Sequence, residues 1–311
     1  MQAIVLGAAA GGGFPQWNSA APGCRRARSG DPAAKARTQA SLAVSADGCS
    51  WVVLNAAPDL RQQILATPEL HATQLHATQG LRSSPIAGVV LTGGDVDAIA
   101  GLLVLREGHR FSVLAAPPVI GVLEANPIFE VLARDLVQRQ AVALDRPVPL
   151  PGPGGAPSGL TLTLFAVPGK VPLYLERPGE APPVIEDGTT VGAAIADGRH
   201  TLFFIPGCAA FTPALADRLR GADLVFFDGT LWQDDEMIRL GAGTKTGRRM
   251  GHMSLTGAGG TFAAFAPLGI ARKILIHINN TNPVLLDDSP ERAEATAHGW
   301  QVAEDGMRIT L

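Results

Sequence analysis

The stretch Val89-Val90-Leu91-Thr92-Gly93-Gly94-Asp95-Val96-Asp97-Ala98-Ile99 constrains the fold of this chain more than any other. An apolar run of strand character enters a Gly-Gly turn. Two carboxylates follow at i and i+2, and helical sequence runs over 99–106. Glycines at such a turn let the backbone come close to whatever the carboxylates hold. Paired Asp residues at the C-terminal end of a strand suit a divalent cation, because hard oxygen ligands neutralise its charge. Asp also caps helices by accepting from the free N–H groups of the first turn, so capping is the other use open to Asp95 and Asp97.

The same design recurs along the chain. The strand-like run 160–167 ends at Pro168-Gly169-Lys170, and 201–205 ends at Pro206-Gly207-Cys208. The run 224–227 ends at Asp228-Gly229-Thr230, and 273–278 carries His277 near its end. In layered α/β folds the C-terminal edges of strands are where sites assemble. Further strands are expected at 4–6, at 40–44 and 51–55 paired across Asp47-Gly48, and at 111–115. Helices are expected over 58–66 and near 128–138, with a surface loop over 149–159. Two strand-rich halves covered by helices predict an α/β fold, a four-layer αββα sandwich, as one domain over 1–311. Apolar residues make up 46% of the chain and charged ones 17%, enough for a large core.

Charge and cysteine usage exclude several classes. A net charge of −3 and a pI near 6.2 make no case for nucleic acid or an anionic membrane as partner. Residues 1–7 lack a basic leader and read as a first strand, and no apolar run reaches about 18 residues, so no membrane span is expected. Cys24, Cys49 and Cys208 are odd in number and far apart, which argues against disulfides and for a reducing cytoplasm. Gly11-Gly12-Gly13 lacks phosphate-loop spacing and reads as a tight turn needing positive φ. Most charges of the basic segment with Arg25, Arg26, Arg28, Lys35 and Arg37 read as solvated. His71-Ala72-Thr73-Gln74 recurs as His76-Ala77-Thr78-Gln79, a period that puts the two histidines on different helix faces and suggests a tolerated loop insertion.

Single residues stand out against this frame. By the period-two rule His277 faces away from Ile276 and Ile278, as a ligand or as a core histidine bonded to a carbonyl. His252 suits proton transfer if Asp228 fixes its tautomer; a purely structural His–Asp bond is the alternative. Lys170, Lys245 and Arg249 are candidate anchors for a substrate carboxylate, or solvated charges. Cys208 either faces a cavity or is a buried thiol.

The segment Leu91 to Leu102 resembles the metallo-β-lactamase superfamily signature Thr-His-x-His-x-Asp-His-x-x-Gly-Leu, with Gly93, Asp95, Asp97 and Ala98 at its His, His, Asp and His. Val167-Pro168-Gly169-Lys170 is similar to that superfamily's Pro-Gly-His loop, and Ile205-Pro206-Gly207-Cys208 to its Gly-Asp strand end. A fuller resemblance, over nearly the whole chain, is to the coenzyme PQQ biosynthesis protein B family. It is carried by Gly11-Gly12-Gly13-Phe14-Pro15-Gln16-Trp17-Asn18, Arg37-Thr38-Gln39, Leu102-Leu103-Val104-Leu105-Arg106-Glu107-Gly108, Gly243-Thr244-Lys245-Thr246-Gly247 and the run from His277 to Pro283. The resemblance implies the αββα fold and a role in making pyrroloquinoline quinone (PQQ). It implies an iron- and O₂-dependent hydroxylase acting on a tyrosine-derived precursor, with transport of the quinone or its precursor by a metal-poor carrier as the alternative role. On it, Asp95, Asp97 and His277 hold Fe(II), His252 and Asp228 manage protons, and Lys170, Lys245 and Arg249 orient a small-molecule or short-peptide substrate derived from a Glu/Tyr precursor. A homodimer is left open.

The chain departs from the family in two places. Ser19, Ala21 and Cys24 stand where the family has a Cys-x-Cys-x-x-Cys zinc site, and one thiolate cannot hold a tetrahedral zinc, so structural zinc is not expected. Ala98 stands where the family has a histidine and cannot ligate. Two carboxylates and one imidazole differ from the two-histidine, one-carboxylate face of non-haem iron oxygenases and predict a weaker, oxygen-rich site. A metal-dependent hydrolase of the wider superfamily is a further rival reading.

Overall fold

The structure, a computed structural model, describes residues 1–72, 82–177, 179 and 183–311. In chain order the strands are β1 (Gln2–Gly7), β2 (Ser41–Ser45), β3 (Trp51–Leu54), β4 (Ile86–Leu91), β5 (Phe111–Ala115), β6 (Val137–Ala141) and β7 (Val148–Pro151). They continue with β8 (Pro157–Ala166), β9 (Val191–Ala196), β10 (Thr201–Ile205), β11 (Leu224–Asp228), β12 (Arg272–Ile276), β13 (Trp300–Val302) and β14 (Arg308–Thr310). They form two seven-stranded sheets, ordered β14-β1-β2-β3-β4-β5-β6 and β13-β12-β11-β10-β9-β8-β7. Hairpin-like pairs at one side of each sheet are antiparallel. From β3 to β6 and from β10 to β13 the pairing is parallel. Parallel neighbours need crossover connections, and the helices Pro117–Ala125, Pro213–Leu219 and Pro290–Ala297 lie in such connections.

Period-two alternation then sorts the side chains into layers. Val90 and Leu114 pack with Phe204, Phe226 and Ile276 in a cluster between the sheets. Their strand neighbours Val89, Leu91 and Val113 lie under the helices of the first sheet. Phe203, Val225 and Phe227 lie under those of the second. Strands covered on both faces read as unbroken apolar runs, which is what the sequence shows at β4 and β11. The expected αββα sandwich is the fold observed.

Local expectations fared unevenly. The helix expected near 128–138 is absent: the helix is Pro117–Ala125, followed by a 3₁₀ turn, Pro127–Val131, and by edge strand β6. Prolines at the first two helical positions start that helix without losing a needed N–H, and Asn126-Pro127 ends it. The segment after Asp95 is a short helix, Val96–Ile99, running into a 3₁₀ stretch, Ala100–Leu105. A Cβ on Gly101 would lie 2.1 Å from the Ala57 carbonyl oxygen, so this turn sits hard against the chain after β3. Arg37 is not solvated: it is 3% exposed, with Nε donating to Ala303 O at 3.2 Å and Nη2 paired with Glu304 at 3.2 Å. The expected loop over 149–159 carries the end of β7 and the start of β8. Gly12 and Gly13 adopt φ of +90° and +71°, as a tight turn requires. The second copy of the His-Ala-Thr-Gln repeat lies outside the described residues. Among the described residues no helix is long and apolar enough to cross a membrane.

Candidate functional site

A cleft of about 430 Å³ opens at the C-terminal ends of β4, β10, β11 and β12, and Asp95, Asp97, Ala98, Lys170, His252 and His277 face it. Two strand ends are bent into it by unusual backbone. His277 follows β12 at φ +58° and Asn55 follows β3 at φ +60°, a region that residues other than glycine seldom occupy. The period-two rule therefore does not set the direction of His277, which corrects the expected reason for its orientation. Asn55 Nδ2 donates to Thr92 Oγ1 at 2.9 Å and its Oδ1 accepts from Thr92 N at 2.9 Å, tying the end of β3 to the loop that carries Asp95 and Asp97.

Three side chains, Asp228, His252 and His277, meet on the Thr230 hydroxyl. His277 Nε2 lies 2.9 Å from Asp97 Oδ2, and its Nδ1 lies 2.9 Å from Thr230 Oγ1. The Thr230 hydroxyl donates to Asp228 Oδ1 at 2.6 Å, and Asp228 Oδ2 holds His252 Nδ1 at 2.7 Å. Asp228 is fully buried and also accepts from the backbone N–H groups of Cys208 and Thr230, at 2.9 and 3.0 Å. Its lone pairs are filled, so it orients His252 and leaves Nε2 as that ring's working atom. The two imidazoles stack with centroids 5.1 Å apart. Among the described residues, Asp228, His252 and His277 are the group whose ligand atoms lie within 4.8 Å of one another; the expected set of Asp95, Asp97 and His277 is not drawn together as tightly. Thr230 and Asn55 escaped the sequence reading; the signals available were a hydroxyl two residues after Asp228 and a left-handed-tolerant Asn after an apolar strand.

The charges reinforce the geometry. Burial and the neighbouring Asp97 carboxylate push Asp95 above the ordinary carboxylate range, against the pull of Lys170 and the two histidines. Burial works the same way on Asp97, but the His277 hydrogen bond and charge outweigh it and Asp97 is held low. Burial disfavours a charged His277, yet Asp97, Asp228 and Asp95 together raise it above the ordinary imidazole range. Two neighbouring carboxylates backed by imidazole nitrogens make a mixed oxygen and nitrogen donor set, and a divalent cation relieves the repulsion between them.

The cap and the expected anchors resolve clearly. Asp95 occupies the N-cap position of Val96–Ile99 but makes no side-chain cap bond, so the capping use is set aside for it. Lys170, Lys245 and Arg249, 79 residues apart at most in sequence, all converge on one carboxylate that the sequence reading missed, Glu176. Cys208 is the buried thiol of the two alternatives: Sγ donates to Ala210 O at 3.1 Å, and burial, with the Asp228 charge, pushes it far above the ordinary thiol range. Cys24 is buried too, with Sγ 3.5 Å from Asn280 Oδ1.

Residues 50–278 match the model of the β-lactamase superfamily domain. The chain is 63% identical over 307 residues to the coenzyme PQQ synthesis protein B of Gluconacetobacter diazotrophicus, covering 99% of this chain and 98% of that one. The chain belongs to the coenzyme PQQ synthesis protein B family. Another member, from Gluconobacter oxydans, is 56% identical over 99% of this chain and 98% of its own. The crystal structure of Zn²⁺-bound PqqB from Methylobacterium extorquens superposes with a TM-score of 0.94 at 49% identity, covering both chains fully. A diphosphatase of the PhnP family shares the fold alone, with a TM-score of 0.66 at 19% identity over 100% of this chain and 97% of that one. The Zn²⁺ of that 49%-identical relative overturns the expectation of Fe(II) and points to zinc. The correction is physically reasonable, because Zn²⁺ accepts imidazole and carboxylate ligands together and imposes little geometry of its own.

Proposed function

We propose that this chain acts in PQQ biosynthesis on a tyrosine-derived, carboxylate-bearing precursor, bound in the cleft beside a zinc ion held by Asp95, Asp97 and His277. The observation that carries the reading is the Asp97–His277 contact, joined through Thr230 to the Asp228–His252 pair. Zinc bound there supplies Lewis-acid polarisation of a substrate oxygen or a bound water of lowered pKa. The chain's own groups do the rest. His252, with Nδ1 fixed on buried Asp228, presents Nε2 to take or return a proton. Lys170 and Lys245 line the cleft and orient the precursor's carboxylate. The finer proposal, resting on the family resemblance, is hydroxylation of the precursor's tyrosine ring; zinc is redox-inert, so that step takes one oxygen atom from O₂ and two electrons from an added reductant, the second oxygen atom leaving as water. Three widely spaced thiols suit a reducing compartment, and we place the protein in the cytoplasm on that ground.

A second reading, a metal-poor carrier of the quinone or its precursor, is favoured by Ala98, which removes one donor from the central motif. Mass spectrometry of a short Glu/Tyr-derived peptide incubated with the zinc-loaded chain and ascorbate as the two-electron reductant, under air and under argon, separates the two. Gain of an oxygen atom under air alone supports hydroxylation. Stoichiometric binding with no change of mass supports the carrier, and cleavage of the peptide overturns both.

A further inference from the structure

The three cations at the rim of the cleft already hold a carboxylate, and it is the chain's own. Glu176 Oε1 lies 3.0 Å from Lys170 Nζ, and its Oε2 lies 3.0 Å from Arg249 Nη2 and 3.4 Å from Lys245 Nζ. The Glu176 side chain is only 8% exposed. It sits at the end of a short segment that lies across the cleft. Leu173 lines the cleft, and the Tyr174 hydroxyl donates to Gly94 O at 2.6 Å, on the turn that carries Asp95. The segment is otherwise poorly anchored: Leu173, Tyr174 and Leu175 are 62%, 44% and 48% exposed. Three consecutive large apolar side chains left that exposed are a poor resting state for a turn with no other task. At its base, Gly169 and Ile185 exchange both backbone hydrogen bonds, at 3.1 and 2.9 Å, so the segment has a fixed foot and a charged latch.

We propose that Lys170, Lys245 and Arg249 form a carboxylate-binding subsite that Glu176 occupies in cis, and that a ligand carboxylate binds by displacing Glu176 and lifting residues 173–176 from the cleft. The proposal deepens the reading of the cleft as a site for a carboxylate-bearing precursor and rests on it. The chemistry is an exchange of one carboxylate for another on the same three donors, so it needs no new charge in the site. Arg249 reaches both oxygens of Glu176, at 3.4 and 3.0 Å, and the fork suits any carboxylate of the same shape. A tethered competitor acts at an effective concentration in the millimolar range, which free ligand must exceed to open the latch. Glu176 is held at about 2, chiefly by the Arg249 hydrogen bond and then by Lys170 against the cost of burial, so the latch is ionised at neutral pH.

Tyr174 is the chain's single tyrosine, so 3-fluorotyrosine labelling gives one ¹⁹F resonance that reports the segment. Glutarate is the probe and neutral glutaramide the control, on the zinc-loaded chain. A saturable shift of the resonance with glutarate and none with glutaramide is expected. Glu176→Gln should move the resonance toward the lifted position without ligand and tighten glutarate binding at least tenfold. Lys245→Ala should weaken glutarate binding tenfold while the zinc affinity stays unchanged. A Glu176→Gln chain that binds glutarate no tighter than the parent, or whose resonance stays put, overturns the proposal, as does equal response to glutaramide. Failure of the metal-site reading is seen elsewhere, as zinc affinity unmoved by Asp97→Ala, and leaves the glutarate result standing.

Discussion

Asp97 and His277 lie 180 residues apart in the chain and 2.9 Å apart in space, Oδ2 to Nε2. With Nδ1 of the ring engaged by Thr230, Nε2 is hydrogen-bonded to the Asp97 carboxylate, and a cation bound here would replace the proton the two atoms share. Asp97→Ala should therefore lower zinc affinity by more than about 100-fold, beyond the effect typical of an outer-shell change. Competition against a zinc-chelating dye measures it. An affinity within a factor of about three of the parent would place the metal elsewhere.

Thr230, on the wall of the cleft, holds the two halves of the site together. Thr230→Val keeps the shape and removes the hydroxyl, leaving His277 Nδ1 and Asp228 Oδ1 each short of a partner. A buried polar group that loses its partner costs about 1–3 kcal/mol. The expected outcome is destabilisation of that size in urea melts and zinc affinity about 10- to 100-fold weaker, with Thr230→Ser restoring both. If Val behaves as the parent does in both measurements, Thr230 is a bystander.

Much of the molecule could be read from its sequence, for physical reasons that also mark where reading stops. Strands covered on both faces appear as apolar runs; β4, β10 and β11 could be placed because each ends at a small residue next to a polar one, and β12 because its run ends beside His277. Asp95 and Asp97 stood out because local spacing carried their meaning. Thr230 and Glu176 did not, because their partners lie 22 and 47 residues away for one and up to 73 for the other. No local pattern encodes such a junction. The misplaced helix has a different cause: the apolar run after Pro127 matches a helical period, but Pro117-Pro118 sets the true start and residues 137–141 find a strand partner in β5. Iron could not be told from zinc in the sequence because oxygen and nitrogen donors serve both.

The Glu176 latch has a pH signature with a definite sign. Its carboxyl sits at about 2, against 4.5 for an unpaired glutamate, because Arg249, Lys170 and Lys245 favour the charged form. A group lowered in the folded state adds stability that is complete above its unfolded value and is lost as pH falls toward the folded one. The difference in urea midpoint between the parent and Glu176→Gln should be constant from about pH 6 to pH 8. It should shrink below about pH 4.5 and be nearly gone by about pH 2. A difference that stays the same at about pH 3 would show that the ion pairs contribute nothing to it.

Ala98 gives the most direct test of the central motif. Its side chain lines the cleft beside Asp97 and is 6% exposed. The backbone there is fixed from both sides, with Ala98 N donating to Asp95 O at 2.9 Å and Ala98 O accepting from Ala56 N at 2.7 Å. Ala98→His therefore changes the donors offered to the cleft while the chain path stays in place. An imidazole added to two carboxylates and His277 gives zinc a further nitrogen ligand, which should tighten binding by tenfold or more, about 1.4 kcal/mol. Calorimetric titration of the parent and the variant with zinc reads the change. Unaltered or weaker binding, in a variant whose melting curve matches the parent's, would mean that residue 98 does not face the metal and that the central motif has been assigned to the wrong atoms.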